Sequence, residues 1–142
     1  KHQITDGMIE LELTESVFFD DKRIEIVKDN IKTMHQLGFL CSLDDFGTGF
    51  SSLGLLKEFD IDTIKLDHKF AQDITNPKSR HILACIMELT KNLNIKTVAE
   101  GIETQEQLNV LKELHCDLIQ GYLYAKPLPV AEFEQWAQNH LF

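Results

Sequence analysis

Apolar positions in this chain follow two periods in turn. Met8-Ile9-Glu10-Leu11-Glu12-Leu13 alternates, with Ile9, Leu11 and Leu13 on one side and Glu10 and Glu12 on the other, which predicts a strand. From about Asp21 to Leu37 the period becomes helical, with Ile24, Ile26, Val27, Ile31, Met34 and Leu37 as the stripe and Gly38 as the stop. Phe39–Leu43 is short and apolar enough for one buried strand, and it runs into Asp44-Asp45. Gly47 and Gly49 let the chain turn there, and Ser51 or Ser52 can cap a short helix reaching Glu58. Ile61–Asp67 reads as the third strand and His81–Leu93 as a helix with Ile82, Leu83, Ile86, Leu89 and Leu93 inward. Ile95–Ala99 is the fourth strand, Thr104–Leu114 a helix, and Asp117–Ile119 a short fifth strand. After Pro127 and Pro129, Val130–Asn139 forms the last helix.

Five strand-then-helix units in succession predict an α/β fold with a parallel sheet and right-handed crossovers. Two architectures satisfy that pattern. In an α/β barrel the strand ends converge on one mouth. In an open doubly wound sheet they spread along an edge.

The strand ends carry the chemistry. Glu12, Asp44 with Asp45, Lys65, Glu100 and Gln120 each stand at or near the end of a different strand. Adjacent carboxylates repel and need a positive partner, and Mg²⁺ or Mn²⁺ prefers such oxygen ligands. Carboxylates, a lysine and an amide at one barrel mouth would make a metal site with a proton-handling lysine, suited to phosphate hydrolysis. Each residue also has a plainer reading. Asp44-Asp45 beside glycine suits a solvated turn, and Lys65 could pair with Asp62 or Asp67. Glu100-Gly101 and Gln120-Gly121-Tyr122 could be turns, Glu103 or Glu106 a first-turn charge, and Asp67 and Asp73 structural. Phe46, Phe50 and Trp136 read as packing residues. The joint pattern, not any one residue, favours the site.

Composition narrows the partners. The 142 residues carry a net charge of −9 and a pI near 5.0, which disfavours duplex nucleic acid. Gly47-Thr48-Gly49 lacks the Lys-Ser/Thr of a P-loop. Cys41, Cys85 and Cys116 show no ligand or disulfide spacing, and the six histidines form no ligand pair. No apolar run approaches a transmembrane length, no signal peptide opens the chain, and the scattered cysteines suit a reducing cytosol, so a cytoplasmic location is expected, with membrane contact only through domains outside it.

At this point the chain resembles the EAL-domain phosphodiesterases that hydrolyse cyclic di-GMP. The matching stretches are Glu12-Leu13-Thr14-Glu15-Ser16, Asp44 through Leu53, Lys65-Leu66-Asp67, Ala99 through Thr104, and Gln120-Gly121-Tyr122 continuing to Lys126-Pro127-Leu128-Pro129. They occur in family order across almost the whole chain. The resemblance implies that Glu12, Asp44 and Asp45 ligate two metal ions, Mg²⁺ or Mn²⁺. It implies that Lys65 orients or deprotonates the attacking water, that Glu100 is a base or ligand, and that Gln120 holds water. Glu15 would position the Asp-Asp-Phe-Gly loop, which joins in dimerisation in the family, and Pro127 would flank the guanine pocket.

The family's Glu-Ala-Leu strand, the arginine that follows it and the asparagine on the next strand are not found here. The expectation is therefore a C-terminal portion of an EAL domain over residues 1–142, strands four to eight of a (β/α)₈ barrel that needs about 250 residues. The intact domain would hydrolyse cyclic di-GMP to linear pGpG, while these residues alone would be inactive and would self-associate through open sheet edges. A non-catalytic remnant binding cyclic di-GMP or a protein partner is the alternative. A phospho-receiver domain is excluded, because its acidic pair belongs on the first strand and its phosphorylated Asp on the third.

Overall fold

A computed structural model of the chain describes residues 4–14, 24–47 and 52–140. The elements are β1 (Glu10–Thr14), α1 (Ile24–Gln36), β2 (Leu40–Phe46), α2 (Ser52–Glu58), β3 (Thr63–Leu66), α3 (His68–Gln72), α4 (Pro77–Leu93), β4 (Lys96–Ala99), α5 (Gln105–Glu113), β5 (Leu118–Ile119) and α6 (Val130–His140). All neighbouring strands pair in parallel, in the order β1-β2-β3-β4-β5. The order never reverses. With right-handed crossovers, one direction of winding puts the connecting helices on one face, as along an arc of a barrel. A doubly wound sheet would reverse at a switch point, so the open alternative is set aside.

Register sorts the strand residues into two faces. Glu12 pairs with Ser42, Thr14 with Asp44, Ser42 with Thr63, Lys65 with Val98, and Val98 with Leu118. These positions share the face away from the helices. The alternate positions, Cys41, Leu43, Ile64, Leu66 and Ala99, are buried against Val27, Ile31, Leu83, Met87, Leu108 and Leu111 of the helices. The apolar core thus lies between sheet and helix layer, and the opposite face carries the polar groups Glu12, Ser42, Asp44, Thr63 and Lys65 beside Val98 and Leu118.

The helical stripes differ from expectation in phase. In α1, Val27 and Ile31 are buried, but Ile26 and Leu37 are exposed. In α4 the inward line is Leu83, Met87 and Thr90, spaced four and three residues apart, and Ile82 and Leu93 are exposed. The buried Thr90 fits because its hydroxyl donates to the carbonyls of Ile86 and Met87, both at 3.1 Å. α4 also starts four residues earlier than expected, at Pro77. Proline is suited to a first helical position, and Asn76 caps it by accepting from Lys78 N at 2.9 Å. α3 was not foreseen: Asp67 caps it by accepting from Lys69 N at 2.9 Å. α5 opens with a capping box between Thr104 and Gln107.

At the end of the sheet away from Lys65, two aspartates tie a strand start to the neighbouring loop. Asp62 Oδ2 accepts from Cys41 N at 2.8 Å and lies 2.8 Å from His35 Nε2. Asp117 Oδ2 accepts from both Thr97 N and Thr97 Oγ1 at 2.8 Å. Asp62→Ala would leave the Cys41 amide without its acceptor in a buried strand. The expected loss is about 1–3 kcal/mol of stability, read as a lower urea midpoint with an unchanged slope; an unchanged midpoint would show that water replaces the carboxylate at no cost.

Candidate active site

Lys65 stands at the centre of the polar face. Its Nζ donates to Glu12 Oε1 at 2.6 Å and lies 2.9 Å from Glu100 Oε1 and 3.1 Å from Asp44 Oδ1. One cation therefore faces three carboxylates, each from a different neighbouring segment: β1, β2 and the end of β4. The Lys65 side chain is 11% exposed, Glu100 20%, Asp44 22% and Glu12 54%. Burial alone pulls the lysine's pKa down, but the carboxylates of Glu12, Glu100 and Asp44 beside it outweigh that and hold the group above its ordinary value. Lys65 is an ammonium here at any neutral pH. The plainer partners lie elsewhere, since Asp62 holds Cys41 and Asp67 caps α3.

A bulge in β2 makes this meeting possible. Leu43 pairs with Ile64 and Phe46 with Leu66, so both Asp44 and Asp45 stand opposite the single residue Lys65. Asp45 takes up the extra residue in a left-handed conformation, φ 57°, and is exposed. The bulge also resets the alternation, so that Asp44 keeps the polar face while Phe46 enters the core at 2% exposure. Phe46 is thus the packing residue it was expected to be. Gly47 follows at φ 94°, and a Cβ there would meet the Phe70 ring at 2.5 Å.

The remaining strand ends are stitched together by backbone. Gln120 N donates to Ala99 O at 2.9 Å, Ile102 N to Gln120 O at 3.2 Å, and Leu123 N to Ile102 O at 2.9 Å. Gly121 passes so close to Ile102 that a Cβ would lie 2.0 Å from its carbonyl oxygen. Glu100 and Gln120 consequently border one open groove of about 960 Å³. Pro127 lines the same groove, with Tyr122, Tyr124, Lys126, Phe133 and Trp136. Lys126 Nζ lies 5.5 Å above the Tyr122 ring, and Trp136 stacks between Phe133 and His140.

Glu12, Asp44 and Glu100 are therefore gathered around Lys65, while Gln120 and Pro127 share the groove that Glu100 borders. Glu15, Thr48, Gly49, Phe50 and Ser51 lie outside the described residues. Trp136 is half-buried on α6, stacked with Phe133 and His140, and it also lines the groove. The tyrosines were missed; the spacing Tyr122-x-Tyr124 in a loop after a strand end was their only signal.

The donor set suits a hard divalent cation. It offers carboxylate oxygens only, and Asp44 Oδ1 is buried, close to the ammonium but without an aligned hydrogen-bond donor. Among the described residues, however, no three His, Cys, Asp or Glu side chains are gathered closely enough to hold an ion. The carboxylates are spread around the lysine, whose ammonium occupies the middle.

The comparisons with known proteins fit this layout. The cyclic di-GMP phosphodiesterase NbdA of Pseudomonas aeruginosa is 39% identical over 137 residues, covering 94% of this chain and 17% of that protein. The crystal structure of the EAL domain of Mycobacterium smegmatis DcpA matches with a TM-score of 0.88 at 34% identity, covering 96% of this chain and 60% of that one. Klebsiella pneumoniae BlrP1, solved as a manganese and cyclic di-GMP complex, matches with a TM-score of 0.78 at 32% identity, covering 87% of this chain and 31% of that one. The chain spans about a sixth of the length of the curated relatives it matches. Residues 1–127 match the EAL domain over the same strand ends that gather around Lys65, and the chain belongs to the EAL domain family.

Proposed function

We propose that the chain is the C-terminal portion of a domain that hydrolyses cyclic di-GMP to linear pGpG. The observation that carries the reading is the single ammonium of Lys65 held among Glu12, Asp44 and Glu100 at the strand ends. The names of NbdA and BlrP1's bound ligand support the substrate.

Glu12, Asp44 and Asp45 would hold the divalent cation, Mg²⁺ or Mn²⁺. That ion, when bound, supplies Lewis-acid stabilisation of phosphate charge and a more acidic water. Lys65, kept protonated by its carboxylates, donates a hydrogen bond to the attacking water's oxygen and so points a lone pair at phosphorus. Glu100, 2.9 Å from the ammonium, accepts the proton that water loses as the new P–O bond forms. The P–O3′ bond breaks, the departing oxygen takes a proton from solvent water to become the free 3′-hydroxyl, and Glu100 returns its proton to solvent. Gln120 orders water at the groove's edge, and Pro127 with the groove aromatics flanks a guanine. Glu15 keeps its family role as the loop-positioning residue.

Asp44→Asn keeps the shape of the side chain and removes its charge. Turnover of cyclic di-GMP by the full-length protein should fall at least a hundredfold at saturating Mn²⁺, followed by chromatography of pGpG. Wild-type turnover by this variant would favour the non-catalytic alternative.

Lys65→Ala should lower kcat far more than it raises KM, because the bond to water is used in the transition state. An equal loss confined to KM would reassign Lys65 to substrate binding.

β1 and β5 have no second strand partner among the described residues, and such edges invite pairing. The 142-residue chain alone should therefore self-associate, with mass in light scattering rising over a concentration series, and without the family's Glu-Ala-Leu strand it should not turn over cyclic di-GMP. A monomer at every concentration would refute the first half of that statement, and turnover by the isolated chain the second.

A further inference from the structure

The short helix α3 meets the ends of β2, β3 and β4. It begins directly after β3, the strand of Lys65: Asp67 caps it, and Phe70 N donates to Asp67 O at 3.0 Å. On one side His68 lies against Gly101, the neighbour of Glu100; a Cβ on Gly101 would stand 2.7 Å from His68 Cβ. On the other side the Phe70 ring lies against Gly47, just past the Asp44-Asp45 bulge. The three atoms nearest to a Cβ built on Gly47 all belong to that ring, two of them at 2.5 Å. The helix is also tied from behind. Gln107 Nε2 donates to Ala71 O at 3.0 Å, while Gln107 Oε1 accepts from Glu103 N at 2.8 Å and Thr104 N at 2.9 Å, in the segment that follows Glu100. Ala71 is buried and Phe70 half-buried against the core. A helix of this length does not stand by its own hydrogen bonds, so these contacts fix where it lies.

The bulge needs such a neighbour. Asp45 is held at φ 57°, a conformation that a non-glycine residue keeps only where its surroundings over-determine it. Asp44 is held close to Glu12 and Glu100 around one ammonium, and like charges push such groups apart. We propose that α3 is the positioning element of the site and that Phe70, through Gly47, fixes the bulge that sets Asp44 against Lys65. The inference rests on the function proposed above. Phe70 acts through the backbone of β2, and a rigid ring edge suits that task because it yields less than a flexible chain would.

The test compares full-length variants hydrolysing cyclic di-GMP at saturating Mn²⁺. Phe70→Leu keeps an apolar residue against the core but withdraws the ring edge from Gly47. Its kcat should fall roughly tenfold or more, the scale on which displaced groups lose rate, with KM changed by less than about threefold. Phe70→Met, unbranched and long enough to reach Gly47, should recover most of that loss. Ile86→Val trims the same core from α4, away from the site, and should leave kcat unchanged. Gly47→Ala should also be slow, and Gly47→Ala combined with Phe70→Leu should be no slower than Gly47→Ala alone, because the smaller side chain makes room for the methyl group. An unchanged kcat in Phe70→Leu, a loss confined to KM, a loss that Phe70→Met does not recover or that Ile86→Val equals, or losses that multiply in the double variant would each overturn the inference and leave the proposed function standing. A wild type without turnover would overturn the proposed function and the inference with it.

Discussion

The constraint on which this structure turns is the need to hold several carboxylates at one end of a sheet in a protein of net charge −9. Glu12, Asp44 and Glu100 come from segments far apart in sequence, and folding brings them together against their mutual repulsion. Lys65 is what makes that tolerable. It lies on β3, between β2 and β4, so its stem reaches all three oxygens at 2.6–3.1 Å. The pull of those carboxylates offsets the burial of the ammonium and holds its pKa up. Everything else in the site follows from keeping this register: parallel pairing without reversal, and a bulge that sets two aspartates against one lysine.

The division of the sheet into two faces keeps stability and chemistry apart. The helix-covered face holds the apolar core, with Leu43, Ile64 and Leu83 each at 0% exposure. The opposite face carries polar groups at successive positions, including the buried Ser42 and Thr63. Asp62 and Asp117 secure the far end of the sheet, where their hydrogen bonds hold strand starts rather than ligands. Conserving the core while varying the polar face would leave this fold standing, in line with the separation of stability and activity between the two ends of barrel sheets.

Much of this was legible in the sequence, for reasons that can be named. The alternation of strand and helix periods is long and regular, so the element order was readable, and so was the placing of Glu12, Asp44, Lys65, Glu100 and Gln120 at strand ends. Phase within helices was less so: Thr90 belongs to the inward line of α4, but its hydroxyl is satisfied by backbone carbonyls, and a reading based on hydrophobicity skips it. Pro77 looks like a breaker until its place at the first helical position is known. The bulge left no mark beyond the Asp-Asp pair itself, since it depends on which residues of β3 lie opposite. The groove was also hidden. Tyr122, Tyr124 and Trp136 meet there only because Gly121 brings its loop against Ile102.

The identity of the central cation as lysine has a physical reason. An arginine fork favours two parallel bonds to one carboxylate and resists leaving them. The ammonium is a compact charge on a flexible stem with three donors, which matches three carboxylates in three directions. On the proposed reading, a divalent cation would draw on the same oxygens as the Lys65 ammonium, and Asp44 Oδ1, at 3.1 Å the longest of the three contacts, would be the one held least tightly by it. Lys65 would keep its place among the strand ends with such an ion present, and its ammonium would be the group nearest to a water held there. The same three-way contact that permits the carboxylates to assemble thus leaves the lysine next to the chemistry once they are otherwise engaged.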